Sequence, residues 1–125
     1  WLNKNFLLLQ VPLALVLYAF GGWSFVVYGI FVRAVMLWHS TWFVNSATHR
    51  WGYRTFDAND NARNLWWVSL MTYGEGWHNN HHTYPRSAQT GWKWWEVDVT
   101  WHTIRLMEGL GLATKVNRIP AKARR

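Results

Sequence analysis

The sequence predicts an all-α integral membrane protein, and three observations support this fold class. Two long apolar runs are separated only by Gly21 and Gly22. Twelve of the 125 residues are tryptophan, whose partly polar indole favours the interface between a bilayer and water. Three of the six histidines, His78, His81 and His82, fall within a five-residue stretch. Together these features predict a membrane-embedded first part and a polar second part that carries a metal site.

The first apolar run, residues 6–20, contains no charged side chain. A helix needs about 20 apolar residues to cross the hydrocarbon core, and Gly21 and Gly22 bring this run close to that length. We therefore predict a transmembrane helix over residues 6–22, which Pro12 bends without ending it. The two glycines then form a tight turn between two spans.

The second apolar run predicts another transmembrane helix, over residues 23–50. Arg33 interrupts it, and a charge at such a position either faces a polar partner or extends to the membrane interface. Both interpretations of Arg33 fit the sequence. Helices buried inside a soluble protein are the alternative for both runs, but a small soluble domain rarely contains two long uncharged runs so close together.

The basic residues are concentrated in the second part of the chain. The net charge is +7, and eleven of the thirteen Lys and Arg residues lie from Arg50 onward, whereas Lys4 and Arg33 are the only charged residues before it. Lys and Arg are enriched on the cytoplasmic side of membranes. Residues 51–125 are therefore predicted to form a cytoplasmic cap, and both chain ends face one compartment. The basic tail, residues 115–125, is expected to lie against anionic headgroups or to be disordered.

Length and composition indicate part of a larger protein. A chain of 125 residues has room for one domain or for a piece of one. It begins with Trp1 and has no signal peptide, so we expect an internal fragment whose beginning is missing. The absence of cysteine excludes disulfides, thiolate ligands and thiol nucleophiles.

The clustered histidines indicate a metal site. On a helix, His78, His81 and His82 occupy positions i, i+3 and i+4, so all three imidazoles project from one face. Imidazole is a ligand for zinc, iron and copper, and a cluster without cysteine differs from most structural zinc sites. A solvated polar turn is the alternative. Asn45 and His49 are also four residues apart, and they share a helical face at the end of the second predicted span.

The segment before the histidines is predicted to be a polar turn followed by a short helix. Residues 56–64 form the turn, in which Asp60 or Asn61 has the chemistry of a helix start, and residues 65–72 form an interfacial helix. Glu75 lies just before the histidines. It either accepts a hydrogen bond from an imidazole or starts the helix, and both interpretations remain open.

After the histidines, the sequence predicts one more amphipathic helix. Apolar residues recur at roughly helical spacing over residues 91–112. Charged residues, including Glu96 and Asp98, lie between the apolar positions. This pattern is typical of a helix that packs on a protein or a membrane surface.

Two segments carry a family resemblance. They are Asn45-Ser46-Ala47-Thr48-His49 and Gly74-Glu75-Gly76-Trp77-His78-Asn79-Asn80-His81-His82-Thr83-Tyr84-Pro85. Both resemble the last part of membrane fatty-acyl desaturases of the Δ9 type, and the resemblance extends over nearly the whole chain. Residues 92–98 and 109–113 look most like bacterial, cyanobacterial and plant-type members of that family.

The resemblance implies a four-helix transmembrane core and a cytoplasmic helical cap that holds a histidine-rich, non-haem di-iron site. This chain would be the C-terminal half of such an enzyme, with the last two of the four helices. The family's first two histidine boxes are absent, so the isolated chain is expected to be inactive. Positions that match the family's functional residues are the catalytic metal ligands His49, His78, His81 and His82, the holder of a metal-bound water Asn45, and the substrate-binding residues Thr41 and Trp42.

The implied activity is the O2-dependent introduction of a cis double bond into a fatty acyl chain, at Δ9. Two iron ions and O2 are the implied cofactors, with electrons from ferredoxin or cytochrome b5. The acyl carrier is coenzyme A, an acyl carrier protein or a membrane lipid, and the sequence leaves this choice open. Alternatives are a histidine-box hydroxylase or oxygenase, and a non-catalytic membrane protein that binds zinc or a regulatory metal. Nucleic-acid binding is the weakest hypothesis, because the basic residues are scattered among tryptophans on a predicted lipid-facing surface.

Overall fold

The computed structural model describes residues 2–120, with side chains from residue 4 onward. The chain divides into two compact units, and the boundary between them lies after Thr41. Trp1, on which the expectation of a missing beginning rests, lies outside the described residues. Residues 121–125, the end of the predicted basic tail, do so as well.

The regular elements between residues 2 and 120 are helical, as predicted. They are α1 (Leu2–Val26), a π-helical segment (Val27–Val32), α2 (Arg33–Thr48), α3 (Trp66–Met71), α4 (His78–Thr83) and α5 (Val99–Gly109). Extended pairing in these residues is limited to two isolated bridges, which join Tyr53 to Asn64 and Asn64 to Trp77. The predicted interfacial helix after residue 64 is therefore present as α3.

The first unit folds back on itself at the predicted glycine turn. Gly22 has a φ of 64° and a ψ of −156°, a conformation that is accessible essentially to glycine alone. Beyond this turn, the guanidinium of Arg33 lies 3.5 Å from Oε1 of Gln10, 23 residues earlier in the chain. A straight helix would separate these residues by about 35 Å, so the two arms run side by side as a hairpin. Arg33 therefore has a polar partner within the hairpin.

Among the described residues, the helical run from Lys4 to Thr48, which the turn at Gly22 divides, is long and apolar enough to be a candidate membrane span. Its most apolar window has a mean hydropathy of 1.9 and is only 6% buried. The stretch includes large exposed apolar side chains such as Leu7 and Phe20. Because each Å² of buried apolar surface contributes about 25 cal/mol, an apolar surface of this extent is favourable against lipid or protein and unfavourable in water.

A small apolar core organises the second unit. Val44 and Ala47, near the end of α2, form a buried cluster with Leu65 and Val68, and Trp67 packs against it. The cluster brings the C-terminal end of α2 against α3. The position of the chain immediately after α2 is fixed as a result.

The predicted helix over residues 91–112 is wrong in its first part. Helix α5 begins only at Val99, because residues 91–98 form turns around two buried carboxylates, Glu96 at 4% exposure and Asp98 at 2%. Oδ1 of Asp98 accepts a hydrogen bond from the N–H of Trp101 at 2.8 Å and caps α5. The carboxylates of Glu96 and Asp98, which helical spacing would place on an exposed face, are thus buried in the second unit.

The predicted helix start at Asp60 or Asn61 is also wrong. Helix α3 begins at Trp66, after Leu65 as the N-cap residue. Asp60 closes a local turn instead, since its Oδ1 accepts a hydrogen bond from the N–H of Ala62 at 2.8 Å. Aspartate is favoured both in turns and at helix starts, and here the turn prevails.

Candidate metal centre

His49 is the first residue after α2, and backbone hydrogen bonds anchor this helix end. The N–H of His49 donates to the carbonyl of Asn45 at 3.2 Å, and the N–H of Arg63 donates to the carbonyl of Thr48 at 2.8 Å. The buried hydroxyl of Thr48 donates to the carbonyl of Val44 at 2.7 Å. The loop before α3 is therefore attached directly beside His49.

Helix α4 carries the other three histidines and depends on a distant residue for its start. A helix of six residues is too short to be stable by itself. Its own N-cap residue, Trp77, makes no side-chain capping bond. Instead, Oδ1 of the buried Asn64 accepts hydrogen bonds from the backbone N–H groups of Asn79 at 3.0 Å and Asn80 at 3.3 Å. Asn64 thus performs the capping function from another segment.

Two buried asparagines fix the rotation of α4. The Nδ2 group of Asn80 donates to Oε2 of Glu96 at 2.7 Å. Oδ1 of Asn79 accepts from the backbone N–H groups of Thr55 and Phe56, both at 2.8 Å. Because these bonds hold two positions of a six-residue helix, they also set the direction of its histidines.

Glu96 is a buried carboxylate that anchors this network. Besides Asn80, its Oε2 accepts the N–H groups of Trp92 at 2.5 Å and Lys93 at 3.0 Å, and its Oε1 accepts the hydroxyl of Tyr53 at 2.5 Å. Burial and the bond to Glu96 raise the pKa of Tyr53, so its hydroxyl stays protonated and continues to donate. These donors compensate the cost of removing the carboxylate from water.

Three histidines from two segments meet at one place. One ring nitrogen from each of His49, His78 and His82 lies within 4.8 Å of those of the other two. The ring centres of His78 and His82 are 4.3 Å apart, and each is 5.1 Å from the ring centre of His49. His81 stands beside this group, with its ring centre 6.1 Å from that of His78. Such a set of imidazoles suits zinc, iron or copper.

The buried ring of His78 has the properties of a metal ligand. Its Nε2 atom has no hydrogen-bond partner among the described residues. An unpartnered buried polar atom is costly, and a bound cation would satisfy it. Burial, followed by the neighbouring His82 and His49, lowers the pKa of His78 to about 4. The imidazole is therefore neutral at pH 7, which is the form that ligates a metal.

Asp60 is in contact with this histidine group. Its Oδ2 atom contacts Nδ1 of His82, while its Oδ1 atom is held by the N–H of Ala62. The bond from Ala62, followed by the contact with His82, lowers the pKa of Asp60. An ionised carboxylate accepts the proton of Nδ1, which leaves Nε2 of His82 as the nitrogen available to a metal.

Comparison with known sequences identifies the family. A sequence model of the fatty acid desaturases matches residues 1–109. The chain belongs to the fatty acid desaturase family. The resemblance carried by the two histidine segments is thereby confirmed.

Curated desaturases are similar over almost the whole chain. The sn-2 palmitoyl-lipid 9-desaturase of Nostoc sp. is 69% identical over 96% of this chain, and the sn-1 stearoyl-lipid 9-desaturase of Synechocystis sp. is 57% identical over 97%. A chloroplastic palmitoyl-monogalactosyldiacylglycerol delta-7 desaturase of Arabidopsis thaliana is 43% identical over 100%. The chain spans 42%, 38% and 33% of these three relatives. The predicted likeness to cyanobacterial and plant desaturases agrees with these matches.

Three of the four histidines predicted as ligands of this desaturase chain come together in the structure, and His81 lies beside them. Asn45, predicted to hold a metal-bound water, lies one helical turn before His49. The roles of the four histidines as ligands and of Asn45 as the holder of a water remain predictions, and the placement of the histidine rings is consistent with a shared site.

The two residues predicted to bind substrate are neighbours on α2. The hydroxyl of Thr41 donates to the backbone carbonyl of Leu37 at 3.0 Å. The side chain of Trp42 is exposed. Their predicted place along an acyl tunnel remains a prediction.

Asp60 is a member of this histidine site that the sequence did not predict. Glu75, for which contact with an imidazole was one interpretation, is exposed, and the carboxylate against a histidine is that of Asp60. Asp60 and His82 are 22 residues apart, so helical spacing does not relate them. The one available signal was an acidic residue in the turn that leads towards the histidines.

Proposed function

We propose that this chain is part of a membrane enzyme that uses O2 to introduce a cis double bond at Δ9 of a fatty acyl chain. The observation that carries the proposal is the meeting of His49, His78 and His82 in a chain of the fatty acid desaturase family. Removal of hydrogen from an unactivated methylene needs an oxidant that no protein side chain supplies. A group of imidazoles is suited to hold the metal that this chemistry requires.

In the proposed enzyme, His49, His78 and His82 would hold iron of a di-iron centre, and His81 would be a ligand beside them. Asn45 would hold a water ligand. An iron pair bound there would supply the oxidising chemistry that, with O2 and two electrons from a carrier protein, converts two neighbouring methylene groups to an alkene. Ligands outside this chain would complete the set, so the chain by itself would be inactive.

The role of the protein is to hold the imidazoles oriented and close together and to keep His78 neutral. Burial keeps His78 unprotonated at neutral pH. Asn64 and Glu96 hold α4 through its backbone and through Asn80, so little reorganisation is needed when a metal arrives.

The proposed topology is a multi-pass membrane protein. Residues 6–22 and 23–50 would be the last two transmembrane helices of a four-helix core, and residues 51–125 would form the cytoplasmic cap. The exposed apolar surface of the hairpin supports the spans, and the excess of Lys and Arg from Arg50 onward supports the orientation. Thr41 and Trp42 would then line the path of an acyl chain that arrives from the bilayer.

A membrane lipid is the proposed acyl carrier. Relatives named as acyl-lipid 9-desaturases are 69% and 57% identical to this chain, whereas an acyl-CoA 5-desaturase of Anemone leveillei is 44% identical. The same comparison supports position Δ9. The electrons that reduce O2 would come from a carrier protein, either ferredoxin or cytochrome b5.

The test uses the full-length protein that contains this chain, expressed in a desaturase-deficient host. Lipids are extracted, separated by class and analysed by mass spectrometry for the position of any double bond. We expect Δ9 monounsaturated acyl chains in the lipids, and their loss with His82→Ala. The matched control is His102→Ala, since His102 is exposed on α5 and matches no ligand position.

Three results would contradict the proposal. One is intact wild-type protein that forms no new alkene. Another is a hydroxylated acyl chain in place of the alkene, which would assign the protein to the histidine-box hydroxylases. The third is purified wild-type protein that contains zinc and no iron.

A further inference from the structure

We propose that Asp60 is a positioning residue that orients His82 for metal binding. The proposal rests on the iron site of the proposed function and deepens it, because it adds a carboxylate to a site otherwise built from imidazoles. The observation behind it is the contact between Oδ2 of Asp60 and Nδ1 of His82.

The two oxygens of Asp60 have different partners, which fixes the plane of the carboxylate. Oδ1 accepts the N–H of Ala62 at 2.8 Å, and Oδ2 faces the imidazole of His82. A single orientation of the carboxylate therefore makes both contacts. Asp60 is therefore a preset acceptor aimed at one nitrogen of one ligand.

The loop that carries Asp60 is itself anchored. Ala62 is fully buried, and the N–H of the next residue, Arg63, donates to the carbonyl of Thr48 at 2.8 Å. Asn64 then pairs with Tyr53 through two backbone bonds, of 2.6 and 3.0 Å. Because Thr48 directly precedes His49, the same anchor that places Asp60 also places another histidine of the site.

This contact decides which nitrogen of His82 is free. When Nδ1 donates its proton to a carboxylate, Nε2 carries the lone pair and points away from Asp60. Among the described residues, the ligand atoms of His49, His78 and His82 lie close to one another. Asp60 is not a member of that group. Asp60 consequently acts through His82 and not as a further ligand.

Asp57 is a matched control in the same loop. Its side chain is fully exposed, and it lies 3.7 Å from the guanidinium of Arg54. Asp57→Asn removes the same charge from the same loop without a change at His82. Any effect of charge alone would appear equally in Asp57→Asn and Asp60→Asn.

Two variants separate the orientation of His82 from the local turn. Asp60→Asn keeps an oxygen for the N–H of Ala62, but then presents an amide N–H to Nδ1 and so favours the tautomer with a protonated Nε2. Asp60→Ser keeps a hydroxyl oxygen that can close the turn but does not reach His82. If closing the turn were the only role of Asp60, these changes would weaken iron binding only to the extent that they lower the melting temperature.

The experiment measures iron affinity by chelator competition on the purified full-length protein, for wild type and the three variants. Loss of a carboxylate that orients a metal-bound histidine typically weakens metal binding by about 10–100-fold. We expect that loss in Asp60→Asn and Asp60→Ser, and wild-type affinity in Asp57→Asn. We also expect altered Mössbauer parameters of the iron that remains bound, with the melting temperature of the iron-free protein unchanged.

Two outcomes would overturn the role of Asp60 alone: wild-type iron affinity in both Asp60 variants, or weaker binding accompanied by a matching fall in the melting temperature of the iron-free protein. The second outcome would assign Asp60 to the turn and not to His82. Wild-type protein that binds no iron would overturn the proposed function together with this inference. If the wild-type protein binds iron and forms the alkene, the proposed function stands, and the two Asp60 variants then decide the role of Asp60.

Discussion

Asn64 caps α4 through the backbone N–H of Asn79, at 3.0 Å, although 15 residues separate them in the sequence. Oδ1 of Asn64 is therefore both a fold contact and a support for the histidines that α4 carries. The Nδ2 group of the same side chain donates to Oδ1 of Asn80 at 2.8 Å. A single buried amide thus holds the first turn of the helix from two sides.

Replacement of Asn64 by alanine is expected to destabilise the protein strongly. A lost cap costs about 1 kcal/mol, and the buried groups left without partners add about 1–3 kcal/mol. Differential scanning calorimetry of the detergent-solubilised full-length protein should show a lower melting temperature, and metal analysis should show a reduced iron content. Asn61→Ala, an exposed change in the same loop, should leave both unchanged. Equal melting temperatures for the two variants would contradict the capping role.

Replacement of Glu96 by glutamine is expected to break the network below α4. A glutamine can keep its oxygen on the N–H donors only by turning its NH2 group towards the hydroxyl of Tyr53, which then loses its acceptor. Hydrogen bonds to a charged group contribute about 1.5–3 kcal/mol each, and the change removes that charge. Glu108→Gln is the comparison, because Glu108 pairs with Arg118 in a partly exposed ion pair, a type that contributes about 0–1 kcal/mol. Denaturation curves should therefore show a clear loss for Glu96→Gln and little change for Glu108→Gln. A similar small effect in both would show that Glu96 is not an anchor.

Replacement of Gly22 by alanine is expected to strain the hairpin through the backbone alone. A Cβ atom at this position would meet open space, but the φ and ψ of Gly22 cost other residues about 1–3 kcal/mol. Gly109→Ala is the control, since Gly109 also faces open space, has no positive φ and lies in α5, where alanine is favoured. We expect lower membrane expression and a lower melting temperature only for Gly22→Ala. A harmless Gly22→Ala would argue against the turn.

The histidines are expected to behave as one unit when iron binding is measured. His49→Ala and His82→Ala each remove a proposed ligand of the same group, so each single change should abolish most iron binding, and the double variant should lose little more. His39→Ala serves as the control, because the ring of His39 bonds to the backbone carbonyl of Val35. Iron analysis of the purified proteins measures the effect. Additive losses would indicate that His49 and His82 belong to separate sites.

Features of the fold and the site that depend on local spacing could be predicted from the sequence, whereas contacts between distant residues could not. His78 and His82 were predictable because helical spacing places them together, and the glycine turn was predictable because few other residues allow its backbone. The contact of Asp60 with His82 depends on a loop that returns over 22 residues, which no periodic pattern records. Glu96 was misplaced on an outer face, because spacing counts apolar positions and does not detect turns that enclose a carboxylate.

The hydrogen bond between Tyr53 and Glu96 spans 43 residues, and this has a consequence for the order of events during synthesis. A ribosome adds residues from the N-terminus at about 5–20 per second, so the histidines of α4 exist before the carboxylate that anchors their helix. Until then, α4 is too short to hold its shape. If the histidines hold iron as proposed, iron delivery should follow the emergence of Glu96. An anchoring residue, and not the last of these histidines, would then set the earliest moment at which the proposed site can form.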